Sequence, residues 1–260
     1  MVAPGVTRYV DTVDVAGIVF RVSCRYPKPG FWARSRPEFL TARAPDVLVV
    51  ITYDDDFRRR ARLPDNQDTF SDAPSVRRHG CALLLTTRYY RATADLERGR
   101  VAVRMAAGFG IGNLMRTLAA LWLLERGTVL LHAVRLGRDG ATLACGVPVA
   151  ALGEAHRAAV AGYLAVTPGA GGVTTRLTPF LQGDGPVPAH RESCARTLWV
   201  PGKAGPAGGT ARAIGVLLPA IWQADRRRAA VERTLDLATR IVSVLRCHEI
   251  DVAHKDVAVG

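Results

Sequence analysis

Lysine is the scarcest charged residue of this 260-residue chain, and it occurs only at Lys28, Lys203 and Lys255. Arginine therefore carries nearly all of the positive charge behind the formal net charge of +12. A skew of this kind is what a GC-rich coding sequence produces without selection for a partner. The arginines are scattered in short runs, and no signature of a nucleic-acid-binding module accompanies them. The positive charge alone therefore does not indicate nucleic acid, which is not the partner we expect.

Long apolar runs and paired cysteine motifs are also missing. No window reaches the roughly 18 uncharged apolar residues that a membrane span needs, because the most apolar stretch, 114–124, contains Arg116. The first residues lack the basic, apolar and small-residue series of a secretory signal. The five cysteines are dispersed without a CxxC pair, which is typical of reduced thiols. We therefore expect a soluble cytoplasmic protein with no membrane partner.

The residues that are present in the first hundred positions predict a β-rich region. Alternating apolar residues favour one strand over 13–25, with Gly17 at a turn or bulge. A mostly β-branched strand is predicted at 46–53, and a polar loop is predicted over 63–80. Further strands are predicted at 82–90, 91–95 and 101–105, with Gly99 in the hairpin turn.

Helical periodicity begins after residue 110. Apolar spacing predicts a helix over 113–126 with Gly127 as its C-cap, and an amphipathic helix over 225–245 whose apolar face includes Val231 and Leu235. An alanine-rich helix is predicted over 153–165, whereas the glycine- and proline-rich segment 167–188 has little regular signal. Strands are predicted at 128–136, 141–145 and 247–252. We divide the chain into a β-rich N-terminal region, 1–108, and a second domain, 109–260.

A family resemblance rests on the order of motifs between residues 110 and 255. A helix, a glycine, the strand Val129-Leu130-Leu131-His132-Ala133, the turn Asp139-Gly140 and a strand ending in Gly146 follow one another. Thr178-Pro179-Phe180, Gly183-Asp184 and the closing strand come later. This order resembles the HPr kinase-like proteins, relatives of HPr kinase and of phosphoenolpyruvate carboxykinase. The resemblance implies an α/β fold in which helices flank a mixed sheet, with a β-rich N-terminal portion.

The resemblance places a phosphate-binding loop at 146–153, where the family carries GxxxxGK[ST]. In such a loop, backbone N–H groups hold phosphate, the lysine offsets phosphate charge and the hydroxyl binds magnesium. Gly146 keeps the first glycine, but Ala151, Leu152 and Gly153 replace the second glycine, the lysine and the hydroxyl residue. Pro148 removes one further backbone donor. These four positions, Gly146, Ala151, Leu152 and Gly153, are expected to be a vestigial loop without a bound cofactor.

The acidic half of the family's site is also replaced. The family places acidic residues at the end of the strand that follows, and this chain has Thr167-Pro168 after 162–166. Neither residue coordinates a metal as a carboxylate does. Losing both halves should abolish ordinary phosphoryl transfer. We therefore expect a pseudokinase-like protein with no catalytic residue and no metal site.

Two functions are compatible with this reading. Because relatives are often encoded beside peptide-modifying enzymes, the resemblance implies an accessory protein in the biosynthesis of a ribosomally made modified peptide. Its partner would be the precursor peptide or a biosynthetic enzyme, held through a sheet edge and arginines, and a homo-oligomer is expected. The alternative is an atypical nucleotide-dependent kinase or transferase in which arginines hold phosphate. Arg157 and Arg176 are the nearest candidates in sequence.

The remaining patterns favour structural roles. His132 is interpreted as a buried histidine satisfied by the backbone, and the acids Asp54-Asp55-Asp56 as a solvated turn. The cluster of His248, Glu249, Asp251 and His254 lacks the spacing of a zinc site. In Arg88-Tyr89-Tyr90-Arg91, strand alternation predicts that one tyrosine faces inward and the other outward. Gly169-Ala170-Gly171-Gly172 is interpreted as a flexible connection rather than a phosphate loop.

Overall fold

The chain folds into two compact units, each built around one mixed β-sheet. The computed structural model describes residues 8–25, 36–54, 74–106, 111–137, 140–148, 152, 159–182, 187–202, 205–206 and 209–252. The first unit comprises Met1–Trp122 and Gln223–Arg227, and the second comprises Leu123–Trp222 and Arg228–Gly260. The fold class is therefore mixed α/β, with more strand than helix in the described part of the chain.

The first unit contains a seven-stranded sheet. Its strands are β1 (Arg8–Val15), β2 (Ile18–Arg25), β3 (Val47–Tyr53), β4 (Ser75–His79), β5 (Ala82–Thr86), β6 (Tyr90–Asp95) and β7 (Arg100–Met105). They lie in the order β1-β2-β3-β7-β6-β5-β4. The β2–β3 and β3–β7 pairs are parallel, and the other neighbours are antiparallel.

Tight turns divide two segments that the sequence predicts as single strands. The segment 13–25 is not one strand, because Ala16 and Gly17 adopt positive φ values of 55° and 94° and fold β1 back onto β2. The predicted strand 82–90 ends at β5, because Thr87 Oγ1 accepts hydrogen bonds from the Tyr89 and Tyr90 amides and turns the chain. The predicted loop over 63–80 is wrong at its end, where β4 forms. Gly99 occupies the predicted hairpin turn with φ of 61°.

One side of this sheet is buried and carries the apolar core of the unit. The helix α1 (Gly112–Glu125) begins and ends within one residue of its prediction, and Gly127 follows with φ of 69°. Phe20 of β2 contacts Trp122 of α1 edge to face, with ring centroids 6.1 Å apart. Tyr89 and Tyr90 are both buried, so the prediction that one of them faces outward is wrong. Tyr89 precedes β6 and does not share its alternation.

The second unit contains an eight-stranded sheet and two further helices. Its strands are β8 (Val129–Leu136), β9 (Thr142–Ala144), β10 (Val160–Gly169), β11 (Gly172–Leu181), β12 (Glu192–Ala195), β13 (Thr197–Pro201), β14 (Gly205–Pro206) and β15 (Arg246–Ile250). Their order is β12-β11-β10-β8-β9-β13-β15-β14. Strands β9, β13 and β15 run parallel, whereas the other pairs are antiparallel.

Two predictions for this unit are wrong, and one helix is not predicted. The alanine-rich helix over 153–165 is replaced from residue 160 by β10, which pairs with β8 on one side and β11 on the other. Pairing on both edges outweighs the helical preference of alanine in this segment. The segment 167–188 is not irregular, because it contains all of β11, and residues 169–172 form the tight hairpin turn between β10 and β11. The helix α2 (Thr210–Ala220) has no counterpart in the prediction.

The long amphipathic helix is confirmed as α3 (Arg228–Val244). Its buried residues are Thr234, Leu237, Ala238, Ile241 and Val242. Val231 and Leu235 are exposed, so the predicted apolar face is misplaced at its N-terminal end. The search for membrane-spanning helices finds none of sufficient length and apolarity among the described residues.

Candidate functional site

The predicted phosphate loop starts at the end of β9, against α2. Gly146 is exposed and has φ of 68°, a conformation that favours glycine. A Cβ atom at this position would lie 3.2 Å from Val216 Cγ1 of α2 and 3.5 Å from Pro201 Cγ. Apolar side chains therefore surround the first residue of the loop, where a phosphate-binding loop would present charged and hydrogen-bonding groups.

Leu152 occupies the position of the phosphate-binding lysine, and its side chain is buried in the core. It is 6% exposed and belongs to an apolar cluster with Val134, Leu136, Ala144 and Val147. Trp199 and Ile250 pack against the same cluster. A side chain in this position stabilises the unit by apolar burial, and it offers no charge to a phosphate.

Residues 153–159 separate Leu152 from the start of β10 at Val160, and 153–158 lie outside the described residues. Ala151 and Gly153, the other replaced positions, lie outside the described residues.

Thr167 and Pro168 do not end their strand. Both lie inside β10, which continues to Gly169 before the hairpin turn. The Thr167 and Thr128 hydroxyl oxygens are 2.7 Å apart and share a hydrogen bond. The strand predicted at 162–166 is therefore confirmed as part of β10, which ends one residue after Pro168, and Thr167 links β10 to the start of β8.

The structure does not bring Arg176 to the loop. Arg176 lies on β11, which β10 and β8 separate from β9, so about 14 Å of sheet lies between the two strands. Its Nε atom is 2.6 Å from Glu192 Oε2 of β12, and this exposed ion pair occupies the guanidinium. Arg157, the other candidate, falls in a segment that the structure does not describe.

A different arginine of this unit is buried. Arg135 of β8 donates hydrogen bonds to the His190 carbonyl oxygen at 2.9 Å and to the Arg191 carbonyl oxygen at 3.4 Å. It also donates to Ser193 Oγ at 3.4 Å. Burial lowers the pKa of Arg135 from its ordinary value. Through these hydrogen bonds, Arg135 holds the start of β12 and the segment before it in place, so its role is structural.

Three further titratable groups of the second unit are buried or held by neighbouring side chains. His132 is half-buried, with its Nε2 atom 3.0 Å from Gln182 Nε2 and its ring against Tyr163. Glu249 is buried and forms an ion pair with Arg212 at 3.3 Å. Burial raises the pKa of the Cys145 thiol to about 12, so this thiol stays protonated at neutral pH. No group of three or more His, Cys, Asp or Glu within the described ranges is arranged to hold a metal ion.

In the first unit, the solvent-facing side of the sheet forms an unusual surface, which we call the arginine face. Strand pairing aligns one residue from each strand into a row whose members are all exposed except the buried Ser23. The members of this central row are Val10, Ser23, Val50, Ala102, Thr93, Leu84 and Arg77. Val10, Val50 and Leu84 are 47%, 50% and 36% exposed. The middle of the face is therefore an aliphatic strip in contact with solvent.

Arginines flank this strip on both sides. One neighbouring row contains Arg21, Leu48 and Arg100, and the other contains Thr52, Arg104 and Arg91. Asp54 forms an ion pair with Arg104 at 2.6 Å. A groove of about 700 Å³ follows the strip from β3 to β4, and its lining includes Val50, Ala102, Leu84, Arg77, Arg91 and Arg104. The groove has an aliphatic floor and arginines along one side, and Arg21 and Arg100 flank the strip on the other side, outside the groove lining.

The sequence patterns do not identify these residues as a site, although the sequence contains a signal for an exposed apolar face. Residues 47–51 are uninterrupted Val, Leu and Ile, which indicates that both faces of the strand are apolar. Alternation alone does not reveal which face is covered. The register of seven strands, set by hairpins and by the parallel pairs, brings the exposed aliphatic residues into one row.

Comparisons with known proteins do not identify a family. No protein-family model matches this chain, and no curated protein matches its sequence. Two structural features bear on function: the buried loop position of the second unit and the arginine face of the first.

Proposed function

We propose that this chain is a non-catalytic, HPr kinase-like accessory protein of the cytoplasm that binds a polypeptide. The partner is the precursor peptide, or a biosynthetic enzyme, of a pathway that makes a ribosomally produced modified peptide, and the protein acts as a homo-oligomer. The observation that carries the binding function is the arginine face, an exposed aliphatic strip between basic rows. The family and the pathway come from the resemblance of the motifs.

Physical chemistry supports a polypeptide as the occupant of this face. When a partner covers aliphatic side chains that are exposed together along a groove, the complex is stabilised by about 25 cal/mol for each Å² of apolar surface removed from water. Arginine holds carboxylates through paired hydrogen bonds and is weakly hydrated, so it suits interfaces better than lysine does. A partner that carries both apolar and acidic side chains satisfies both parts of the surface.

The alternative function, nucleotide-dependent transfer supported by arginines, has less support. Leu152 packs in the apolar cluster at the lysine position. Arg176 is engaged by Glu192 on a distant strand. Phosphoryl transfer depends on positioned positive charge around the phosphates, and the described residues of the loop do not supply it.

Selection from a library of displayed random peptides tests the proposed function. The library is applied in parallel to the wild-type protein, to Val50→Glu on the arginine face and to Val231→Glu on α3. Both substituted valines are exposed, at 50% and 38%, so each variant should fold. We expect peptides to be enriched on the wild type and on Val231→Glu, and to be recovered at least about tenfold less on Val50→Glu. Lack of enrichment on the wild type, or equal recovery on Val50→Glu, would contradict the proposal.

A further inference from the structure

We propose that the partner segment is an acidic amphipathic α-helix that lies across the strands of the arginine face, along its central row. This inference rests on the proposed function, because it names the chemistry and the orientation of the polypeptide that the face binds. The helix places its apolar side on Val50, Ala102 and Leu84 and its carboxylates beside the flanking arginines.

The spacing of the sheet matches the dimensions of a helix. The groove extends from β3 to β4 across five adjacent strands, so it is about 19 Å long, the length of about 13 helical residues. Each strand spacing of about 4.8 Å is close to one helical turn of 5.4 Å. The two arginine-containing rows lie about 13 Å apart, slightly more than the 10–12 Å diameter of a helix. A helix therefore fits between the rows and reaches both.

The distribution of charge selects an acidic partner. Among outward-facing side chains that the structure describes, the face has five arginines, Arg21, Arg77, Arg91, Arg100 and Arg104. Its acids are engaged, since Asp14 pairs with Arg43 at 3.0 Å and Asp95 lies 3.9 Å from Arg98. Arg91 and Arg104 are directly opposed across β6 and β7, where Asp54 already pairs with Arg104 at 2.6 Å, and Asp95 is opposed to Arg100. The described acids of the face are fewer than its arginines, so carboxylates of a bound helix would complement the remaining positive charge.

The chemistry of the strip favours a peptide over nucleic acid. Surfaces that bind single-stranded nucleic acid carry aromatic side chains on which bases stack. The outward positions of the described strands hold aliphatic, small polar, acidic and arginine side chains and one histidine, with no Phe, Tyr or Trp among those whose side chains are described. The tyrosines Tyr89 and Tyr90 are buried beneath the sheet. An aliphatic strip packs well on the apolar side of a helix, but it provides no aromatic ring on which a nucleic-acid base could stack.

The test measures fluorescence anisotropy of a labelled helical peptide of about 14 residues, with leucines along one side and glutamates flanking them. Three probes accompany it: the same composition with the leucines dispersed around the helix, a version with lysine for each glutamate, and a single-stranded RNA of about 15 nucleotides. We expect saturable binding of the amphipathic acidic peptide, at least about tenfold weaker binding of the dispersed peptide, and no binding of the lysine peptide.

Two neighbouring residues of one strand supply the matched variants. Arg77 lies on the arginine face, and Arg78 is exposed on the opposite side of β4. Arg77→Glu should weaken binding at least about tenfold, whereas Arg78→Glu, which changes the net charge equally, should change it less than about twofold. If both variants lost the same binding affinity, the effect would come from the overall charge of the protein, and the proposal would be overturned.

The other outcomes are also decisive. Tighter binding of the RNA than of the acidic peptide, with loss in Arg77→Glu, would assign the face to nucleic acid and overturn the inference. If the displayed library yields peptides that depend on Val50 while the acidic helix does not bind, the inference fails and the proposed function stands. If the library yields none and the acidic helix does not bind, both fail.

Discussion

Leu152→Lys, which introduces a lysine where the proposed resemblance puts that of a phosphate loop, is expected to lower the free energy of unfolding of the second unit by about 3–5 kcal/mol. The substitution places an ammonium group among the buried apolar side chains of Val134, Leu136, Ala144 and Val147. Burial of an unpaired charge costs far more than the loss of apolar contact. Urea unfolding monitored by circular dichroism measures the change.

The pH dependence of the stability of Leu152→Lys shows whether the buried charge causes the destabilisation. Burial should lower the pKa of the introduced amine below its value of about 10.4 in the unfolded chain. The destabilisation is then complete at neutral pH and decreases as the pH rises towards 10, because the neutral amine is buried at little cost. Leu152→Met conserves the volume and should cost less than about 1.5 kcal/mol. Full stability of Leu152→Lys together with new ATP binding would show that this side chain points to a phosphate site.

Gly162→Ala is expected to destabilise the second unit by about 3 kcal/mol. Gly162 lies in β10 between β8 and β11, beside an irregularity in the β10–β11 register, with φ of 140°. A Cβ atom there would lie 2.5 Å from Leu181 Cα and 2.7 Å from the Phe180 carbonyl oxygen. Both are backbone atoms of the neighbouring strand, so relief of the clash requires the strands to separate.

Gly171→Ala is the matched control for this substitution. Gly171 lies in the hairpin turn between β10 and β11, and no atom lies within 4 Å of a Cβ added there. The free energy of unfolding of Gly171→Ala should differ from that of the wild type by less than about 0.5 kcal/mol. Hydrogen exchange of the β10 and β11 amides should accelerate in Gly162→Ala and stay unchanged in Gly171→Ala. Equal stability of the two variants would contradict the close approach of β10 and β11 at Gly162.

Local sequence patterns predict the elements whose partners are close in the chain. The helices at 113–126 and 225–245 and the strands around Gly99 follow from periodicity and turn residues, and they are present as α1, α3, β6 and β7. These elements depend on local spacing and on one covered face. Where local preference and pairing disagree, as in the alanine-rich residues 160–165, pairing with two distant strands determines the structure.

The two features that matter for function depend on contacts distant in sequence. Leu152 is visible in the sequence as a lost lysine, but its burial depends on residues of β8 and β9. The arginine face needs the register of seven strands, and its central row joins residues as far apart as Val10 and Ala102. A single strand shows only alternation, and the row appears when the strands are assembled.

Isothermal titration of the purified protein with Mg·ATP, combined with thermal unfolding at about 5 mM nucleotide, tests most directly whether this is a binding protein rather than a nucleotide-dependent enzyme. We predict no saturable heat of Mg·ATP binding and no increase in Tm. Binding with a dissociation constant near 50 µM would stabilise the protein by about 2.7 kcal/mol and raise Tm by several degrees. Such a shift, abolished by substitution of Gly146, would contradict the account and restore the transferase as the leading function.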